Sequence, residues 1–427
     1  MTQTGVEARK AALDLIDAVT VSGEMLSEAL PRVVRRLEPA DRARVQRLAT
    51  ETLRWASRSD RALGPYLRKR PEPRTHNMLR MAVYEICAEG MAAHGVVNSA
   101  VTILNAMPET KRQSGLANAV LRKIATAGID WDGLPLPVLP KWLRKPLVAD
   151  FGKDVVAAME AAHCAPVPID LTPRDGDAAA LAKMVDGHVL PTGSVRLHGQ
   201  RHVSELPGFG EGAWWVQDAA AAIPASVLDP QPGERVLDLC AAPGGKTLQL
   251  AAAGADVTAV DVSERRVARL HENLARTRLA ADVVVADALE WRPDTHFDAI
   301  LLDAPCSATG TLRRHPDLPF AKDGSEFPAL FALQIALIDA ALEMLKPGGR
   351  LVYCTCSLLI DEGEEQLRDA LDRHPALVVE PAALERPGID PGWIGEEGGL
   401  RLRPDYWPDL GGMDGFFIAQ LRKPADA

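Results

Sequence analysis

Val236-Leu-Asp-Leu-Cys-Ala-Ala-Pro-Gly-Gly-Lys246 is the stretch whose reading decides the fold. Val236, Leu237 and Leu239 make a short buried strand, Gly244 and Gly245 a tight turn, and Lys246-Thr-Leu-Gln-Leu the opening of a helix. Lacking a Cβ, the two glycines let the backbone come close to a ligand. The helix start beyond them presents unpaired N–H groups. A strand, turn and helix of this kind at the head of an α/β sheet is where nucleotide-like cofactors sit. The spacing is neither that of a dinucleotide fingerprint nor that of a P-loop.

Outward from this turn, strands and helices alternate from Asp218 onward, which predicts a parallel, Rossmann-like sheet with right-handed crossovers over residues 217–427. Strands are expected at Val236–Leu239, Asp256–Val260, Asp282–Val285, Ala299–Leu302, Gly349–Tyr353, Leu377–Val379 and Phe416–Leu421. A long Gly- and Pro-rich loop joins the last two, which suggests an antiparallel edge. Upstream, residues 1–128 carry apolar positions at helical spacing and read as an all-α bundle, with Asp41 expected to cap its third helix. Residues 129–146 are punctuated by proline and read as a linker. Residues 147–216 mix helices with short strands and read as a small α+β subdomain. His188, His198 and His202 lie there without cysteine or carboxylate at ligand spacing, so no metal is expected.

The chain has 427 residues, 47% of them hydrophobic and 25% charged, ordinary values for two or three globular domains. No apolar run in the sequence reads as a membrane span, and six scattered cysteines do not read as a disulfide framework, so a cytoplasmic setting is expected. The net charge of −10 argues at face value against a nucleic-acid partner. That average hides an asymmetry. Residues 1–145 hold 23 Lys and Arg against 15 Asp and Glu, a net of +8, and the remainder carries −18. A basic half in an acidic chain marks the part that meets a polyanion. Arg44, Arg47 and Arg54 on the third helix are the expected RNA contacts.

Several strands of the C-terminal domain end in carboxylates, which marks the ligand edge of an open α/β sheet. Asp261 closes the second strand, where a carboxylate can accept from both hydroxyls of a ribose. Asp287 follows the third and suits an adenine amino group. Asp303 opens Asp303-Ala-Pro-Cys-Ser-Ala-Thr-Gly310 after the fourth. With no P-loop lysine, an adenosyl compound without phosphates fits best, and S-adenosylmethionine is such a compound. Two thiols follow strands four and five: Cys306, and Cys356 in Tyr353-Cys-Thr-Cys-Ser357. Neighbouring strands lie about 5 Å apart, so both thiols can face one pocket. Carbon 5 of cytosine is too weak a nucleophile to take a sulfonium methyl unaided. Thiolate addition at carbon 6 makes an enamine whose carbon 5 can attack. A second group must then remove the proton from carbon 5. Two thiols, with Asp303 available to hydrogen-bond the pyrimidine, meet that need.

Taken together, Cys240-Ala-Ala-Pro-Gly-Gly-Lys246, Asp303-Ala-Pro-Cys306, Arg313-Arg-His-Pro-Asp317, Thr355-Cys-Ser357 and Asp414-Gly-Phe-Phe417 resemble the NOL1/NOP2/Sun family of RNA cytosine-5 methyltransferases. Asn98-Ser-Ala-Val101 and Gly115-Leu-Ala-Asn-Ala-Val-Leu-Arg122 in the bundle resemble the NusB-like RNA-binding domain. Their fusion is similar to the branch of the family that acts on bacterial small-subunit ribosomal RNA. The resemblance implies that Cys356 is the nucleophile and that Cys306 assists product release. It implies that Cys240, Ala241, Ala242, Pro243, Gly244, Gly245, Lys246, Asp261, Asp287 and Asp303 line the cofactor. Arg313 and Arg314 join the expected RNA contacts, ribosomal RNA is the expected partner, and the chain is expected to be a monomer. A transfer-RNA cytosine-5 enzyme and a non-enzymatic RNA-binding or ribosome assembly factor are the alternatives. An exocyclic-amine methyltransferase fits less well, because Asp-Ala-Pro-Cys stands where such enzymes need Pro-Pro-aromatic.

Overall fold

Two units make up the computed structural model, which describes residues 3–197, 199 and 201–425; His198 lies outside the described residues. The first unit takes the chain up to Ala165 together with Leu312–Gly324, and the second takes Pro166–Thr311 and the chain from Ser325 onward.

The first unit is helical. Helices Gln3–Thr20, Pro39–Arg54, Pro73–Cys87, Ala93–Asn105 and Ser114–Ala127 turn their apolar faces onto one core, in which Leu13, Ile16, Leu48, Leu79, Val83, Leu104 and Leu121 are buried. The third helix begins at Pro39, whose missing N–H costs nothing at a first helical position. Asp41 therefore sits inside the first turn and does not cap it. Arg9 and Glu85 form a bidentate pair inside the core at 2.7 and 2.8 Å, with Ser99 Oγ accepting from the same guanidinium.

The expected linker is part of this unit. Trp131 is buried edge-on to Trp55 and Tyr84, at centroid distances of 6.1 and 6.4 Å. Helices Lys141–Phe151 and Lys153–Cys164 follow and bury Leu143, Leu147, Val156 and Met159. The boundary expected at residue 146 thus falls after Ala165, because one tryptophan outweighs the proline punctuation around it. Leu312–Gly324, expected within the methyltransferase domain, also belongs here, and Asp317 accepts from the N–H of Leu26 at 2.8 Å where the helix Leu26–Val33 begins.

The second unit holds two sheets. Strands β1 (Ile169–Pro173), β2 (Gly187–Val189), β3 (Val195–Leu197) and β4 (Trp214–Val216) form a small antiparallel sheet in the order β2-β3-β1-β4. The larger sheet contains β5 (Arg235–Leu239), β6 (Asp256–Asp261), β7 (Asp282–Val285), β8 (Phe297–Asp303), β9 (Leu345–Thr355), β10 (Val378–Val379), β11 (Leu400–Leu402) and β12 (Phe416–Arg422). Its order is β10-β12-β9-β8-β5-β6-β7, parallel from β7 to β9, with β12 antiparallel to β9 and β10 and β11 each antiparallel to β12. The expected edge is present, with β11 as a strand that the sequence reading missed. The helix Phe327–Met344 is long and apolar enough, by length and composition alone, to cross a membrane, contrary to the reading that no run was. Leu337, Ile338, Ala341 and Met344 of this helix belong to the core cluster that also contains Ile300, Leu302 and Leu351.

Arg9→Ala leaves the Glu85 carboxylate without its cation in the core and should cost about 3–5 kcal/mol. Urea unfolding of Arg9→Ala and of Arg9→Met/Glu85→Leu checks this. The single variant should unfold at lower denaturant and the double variant should recover most of the loss. A single variant as stable as the parent contradicts the account.

Candidate active site

After β5 the chain runs out to β6 and β7 on one side, then returns through β8 to β9 on the other. Strand order reverses between β5 and β8, and ligands of open α/β sheets bind outside the strand ends at such a switch point. The Cys240–Lys246 turn leaves β5 there, and Asp303 ends β8 beside it.

Two backbone features shape the turn. Cys240 has φ of +62°, a left-handed conformation uncommon away from glycine. Gly244 has φ of +106°, and a Cβ there would lie 2.3 Å from Leu270 Cδ1, so glycine is required. The helix Gly245–Ala252 then starts with its N–H groups at the sheet edge. Burial, with the Asp303, Asp261 and Asp238 charges adding to it, pushes the Cys240 thiol well above the usual range and keeps it neutral.

The carboxylates divide into two sets. Asp261 is buried, and its Oδ2 accepts from Ala242 N at 3.1 Å while Oδ1 accepts from Ser263 N at 2.9 Å. An ionised carboxylate has about four acceptor positions, so Asp261 braces the turn and keeps capacity for a ligand hydroxyl. Asp287 is exposed beyond β7. Val262 and Val285, beside these two acids, are exposed by 69% and 50% and offer an apolar face at the sheet edge. Nothing in the reading singled them out, although Val262 follows Asp261 directly. Acceptors, an apolar face and a glycine turn fit an adenosyl group, with Asp261, Asp287 and the turn as its holders.

The second set holds Asp238 and Asp303. Asp238 is fully buried, with Oδ2 accepting from Thr247 Oγ1 at 2.6 Å and Oδ1 without a partner. Burial raises its carboxyl to about 7, against the Thr247 hydrogen bond, and the Asp303 and Asp261 charges add to the rise. Asp303 Oδ2 accepts from Lys246 Nζ at 2.7 Å, and Cys354 Sγ lies 3.5 Å from Oδ1. Burial works against the Lys246 charge, but Asp303 outweighs it, and the ammonium stays protonated above the ring of Phe416, 5.3 Å from its centroid.

Cys306 and Cys356 meet with their sulfurs 3.4 Å apart as free thiols. Parallel pairing of β8 with β9 places Asp303 opposite Cys354, which brings the loops after both strands together. Gly310 N donates to Cys356 O at 2.9 Å and ties the two loops directly. The sulfur of Cys356 foremost, then burial and the Glu362 charge, hold the Cys306 thiol well above its ordinary range. Cys306 keeps its proton and can donate it toward Cys356.

The expected RNA contacts fare differently. Arg44 is half-buried, and Arg47 pairs with Glu89. Arg54 has a side chain only 8% exposed, which donates to Glu51 and, at 2.6 Å, to the carbonyl of His163. Arg313 is buried, and Arg314 is half-buried. Arg54 therefore serves the helical unit, and neither it nor the buried Arg313 is open to phosphate. The helix Lys153–Cys164, whose His163 takes Arg54, was read as part of another domain.

Sheet order, glycine turn and strand-end acids define a class I methyltransferase that uses S-adenosylmethionine. A family model described as 16S rRNA methyltransferase RsmB/F matches residues 225–422, and one described as the NusB family matches residues 6–126. A curated relative named ribosomal RNA small subunit methyltransferase B, from Cronobacter sakazakii, is 35% identical over 98% of this chain and 99% of its own length. The chain belongs to the RsmB/F family of 16S rRNA methyltransferases. Among solved structures, that of PH0851 is similar in fold, with TM-score 0.75 and 24% identity over 97% of this chain and 99% of its own. NSun6 from Pyrococcus horikoshii with SFG has TM-score 0.58 and 21% identity, over 68% of this chain and 99% of its own.

Replacing Asp261 with alanine removes an acceptor whose hydrogen bonds to a ligand are worth about 1.5–3 kcal/mol. Calorimetric titration with S-adenosylmethionine should show binding weaker by roughly ten- to a hundredfold. Unchanged affinity would mean that Asp261 only braces the turn.

Proposed function

We propose that the protein methylates carbon 5 of a cytosine in 16S ribosomal RNA, in the cytoplasm, through a covalent adduct on Cys356. The contact between the Cys306 and Cys356 sulfurs is the observation that carries this reading. Methylation of an exocyclic amine has no use for a second thiol at 3.4 Å, and a factor that only binds RNA has no use for either. Relatives named for small-subunit ribosomal RNA, 35% identical over almost the whole chain, favour that RNA over transfer RNA.

S-adenosylmethionine, held by Asp261, Asp287 and the Cys240–Lys246 turn, supplies an electrophilic methyl group. The chain's residues do the rest. Cys356 attacks carbon 6 as a thiolate, a sulfur–carbon bond forms, and the 5,6 double bond becomes an enamine nucleophilic at carbon 5. Lys246, held charged by Asp303, keeps a cation near that sulfur. The Asp303 carboxylate serves as acceptor for the cytosine amino group. Once carbon 5 carries its methyl, its proton must leave, the double bond must re-form and the carbon–sulfur bond must break. Cys306 is the base for that proton. While Cys356 is a free thiolate, its charge keeps Cys306 protonated. Bonding of Cys356 to carbon removes that charge, so Cys306 becomes easier to ionise at the stage when a base is needed.

Cys356→Ala should lose methyl transfer while keeping cofactor affinity within about threefold of the parent, since the thiol meets the base alone. Cys306→Ala should still form the adduct but resolve it slowly. A protein–RNA complex should then persist on a denaturing gel and vanish in the double variant. Trapping by Cys356→Ala would reverse the two roles, and full turnover without Cys356 would end the covalent reading.

A further inference from the structure

Beneath the two thiols lies a buried acid that the sequence reading passed over. Glu362 is fully buried, six residues beyond Cys356, at the end of the short turn Ile360–Glu362. Its Oε1 accepts from the backbone N–H of Ser307 at 2.9 Å and from Gln334 Nε2 at 3.0 Å. Its Oε2 accepts from Ser307 Oγ at 2.5 Å. Gln334 Nε2 also donates to the carbonyl of Pro305 at 2.8 Å, so the residues on either side of Cys306 are both held. The Glu362 carbonyl accepts from Tyr353 Oη and Thr355 Oγ1, at 2.9 and 3.0 Å, which anchors the same residue to the strand that leads to Cys356. Ser307 Oγ further approaches Ser357 Oγ at 3.2 Å, beside the second thiol.

The donors that reach the Glu362 carboxylate are neutral, and no arginine or lysine pairs with it among the described residues. Burial of an acid without a cation is costly and is not needed to pack a loop. An amide in its place would keep the shape and lose the charge, with one acceptor becoming a donor that Ser307 Oγ can meet. A negative charge near a thiol opposes ionisation of that thiol.

We propose that Glu362 is the positioning residue of the thiol pair: its carboxylate and its carbonyl tie the Cys306 loop to the strand that leads to Cys356 and so set the two sulfurs against each other. Its consequence for turnover rests on the covalent reading above. The direction of the Cys306 shift agrees, with the Glu362 charge acting after Cys356 and burial.

Two substitutions separate charge from position. Glu362→Gln keeps the reach and removes the charge, and Glu362→Asp keeps the charge and shortens the reach. The direct readout is the pH dependence of iodoacetamide labelling at Cys306, followed by peptide mass spectrometry on the full chain without RNA or cofactor. In Glu362→Gln the Cys306 profile should move about one pH unit or more to lower pH, while Glu362→Asp should leave it near the parent's. Turnover should fall about ten- to a hundredfold in Glu362→Asp, with the KM for S-adenosylmethionine unchanged, and should fall less in Glu362→Gln. In Glu362→Asp a protein–RNA adduct should accumulate, because Cys306 no longer reaches the proton on carbon 5. An unmoved Cys306 profile in Glu362→Gln means that the carboxylate does not sit under that thiol and overturns the proposal, as does parental turnover in Glu362→Asp. Failure of the covalent reading would appear separately, as activity without Cys356, and leaves the labelling result intact.

Discussion

Parallel pairing of β8 with β9, with Asp303 opposite Cys354, is the constraint on which the rest of the site depends. Adjacent parallel strands end at the same sheet edge about 5 Å apart. One loop carries Cys306 and the other Cys356, and their sulfurs come within 3.4 Å because each loop is tied to the other and not to solvent. The switch in strand order between β5 and β8 sets the cofactor turn beside them. Thiols and methyl donor site thus share an edge through the order of three strands.

Charge at this edge is arranged in pairs that push in opposite directions. Asp303 holds Lys246 ionised, which keeps a cation and an acceptor together at this edge. Glu362 is a buried acid with no arginine or lysine paired to it among the described residues, placed under the loop that carries Cys306. Asp238 is fully buried, and burial, with the Asp303 and Asp261 charges adding to it, raises its carboxyl to about 7. In the covalent reading proposed above, the proton affinities of such a site change as the Cys356 sulfur passes from free to carbon-bound.

Much of the larger sheet was legible, because alternation of strand and helix is a strong signal and the strand-end acids fall at regular places. The cysteines were legible as a pair for the same reason: each follows a strand. Glu362 was not, since Asp361-Glu362-Gly363-Glu364-Glu365 reads as an acidic, solvated helix start, and only the tertiary fold shows that one of the four acids turns inward. Arg54 misled for the converse reason. An arginine in a basic run reads as a phosphate contact, but its long stem and five donors serve equally to tie backbone inside a fold. The boundary after Ala165 was hidden by prolines whose neighbour Trp131 is buried against the bundle. β11 escaped because three residues inside a long irregular loop carry too little pattern to register.

The central claim is that a carbon–sulfur bond forms at Cys356 during each turnover. A 16S ribosomal RNA fragment containing 5-fluorocytidine tests it in the unaltered protein, because fluorine cannot leave carbon 5 as a proton does and the adduct is held. After incubation with S-adenosylmethionine and proteolysis, mass spectrometry should find a nucleotide bearing both fluorine and methyl on the peptide that contains Cys356. The same nucleotide on the Cys306 peptide, or methylated RNA released with no protein attached, would contradict the account.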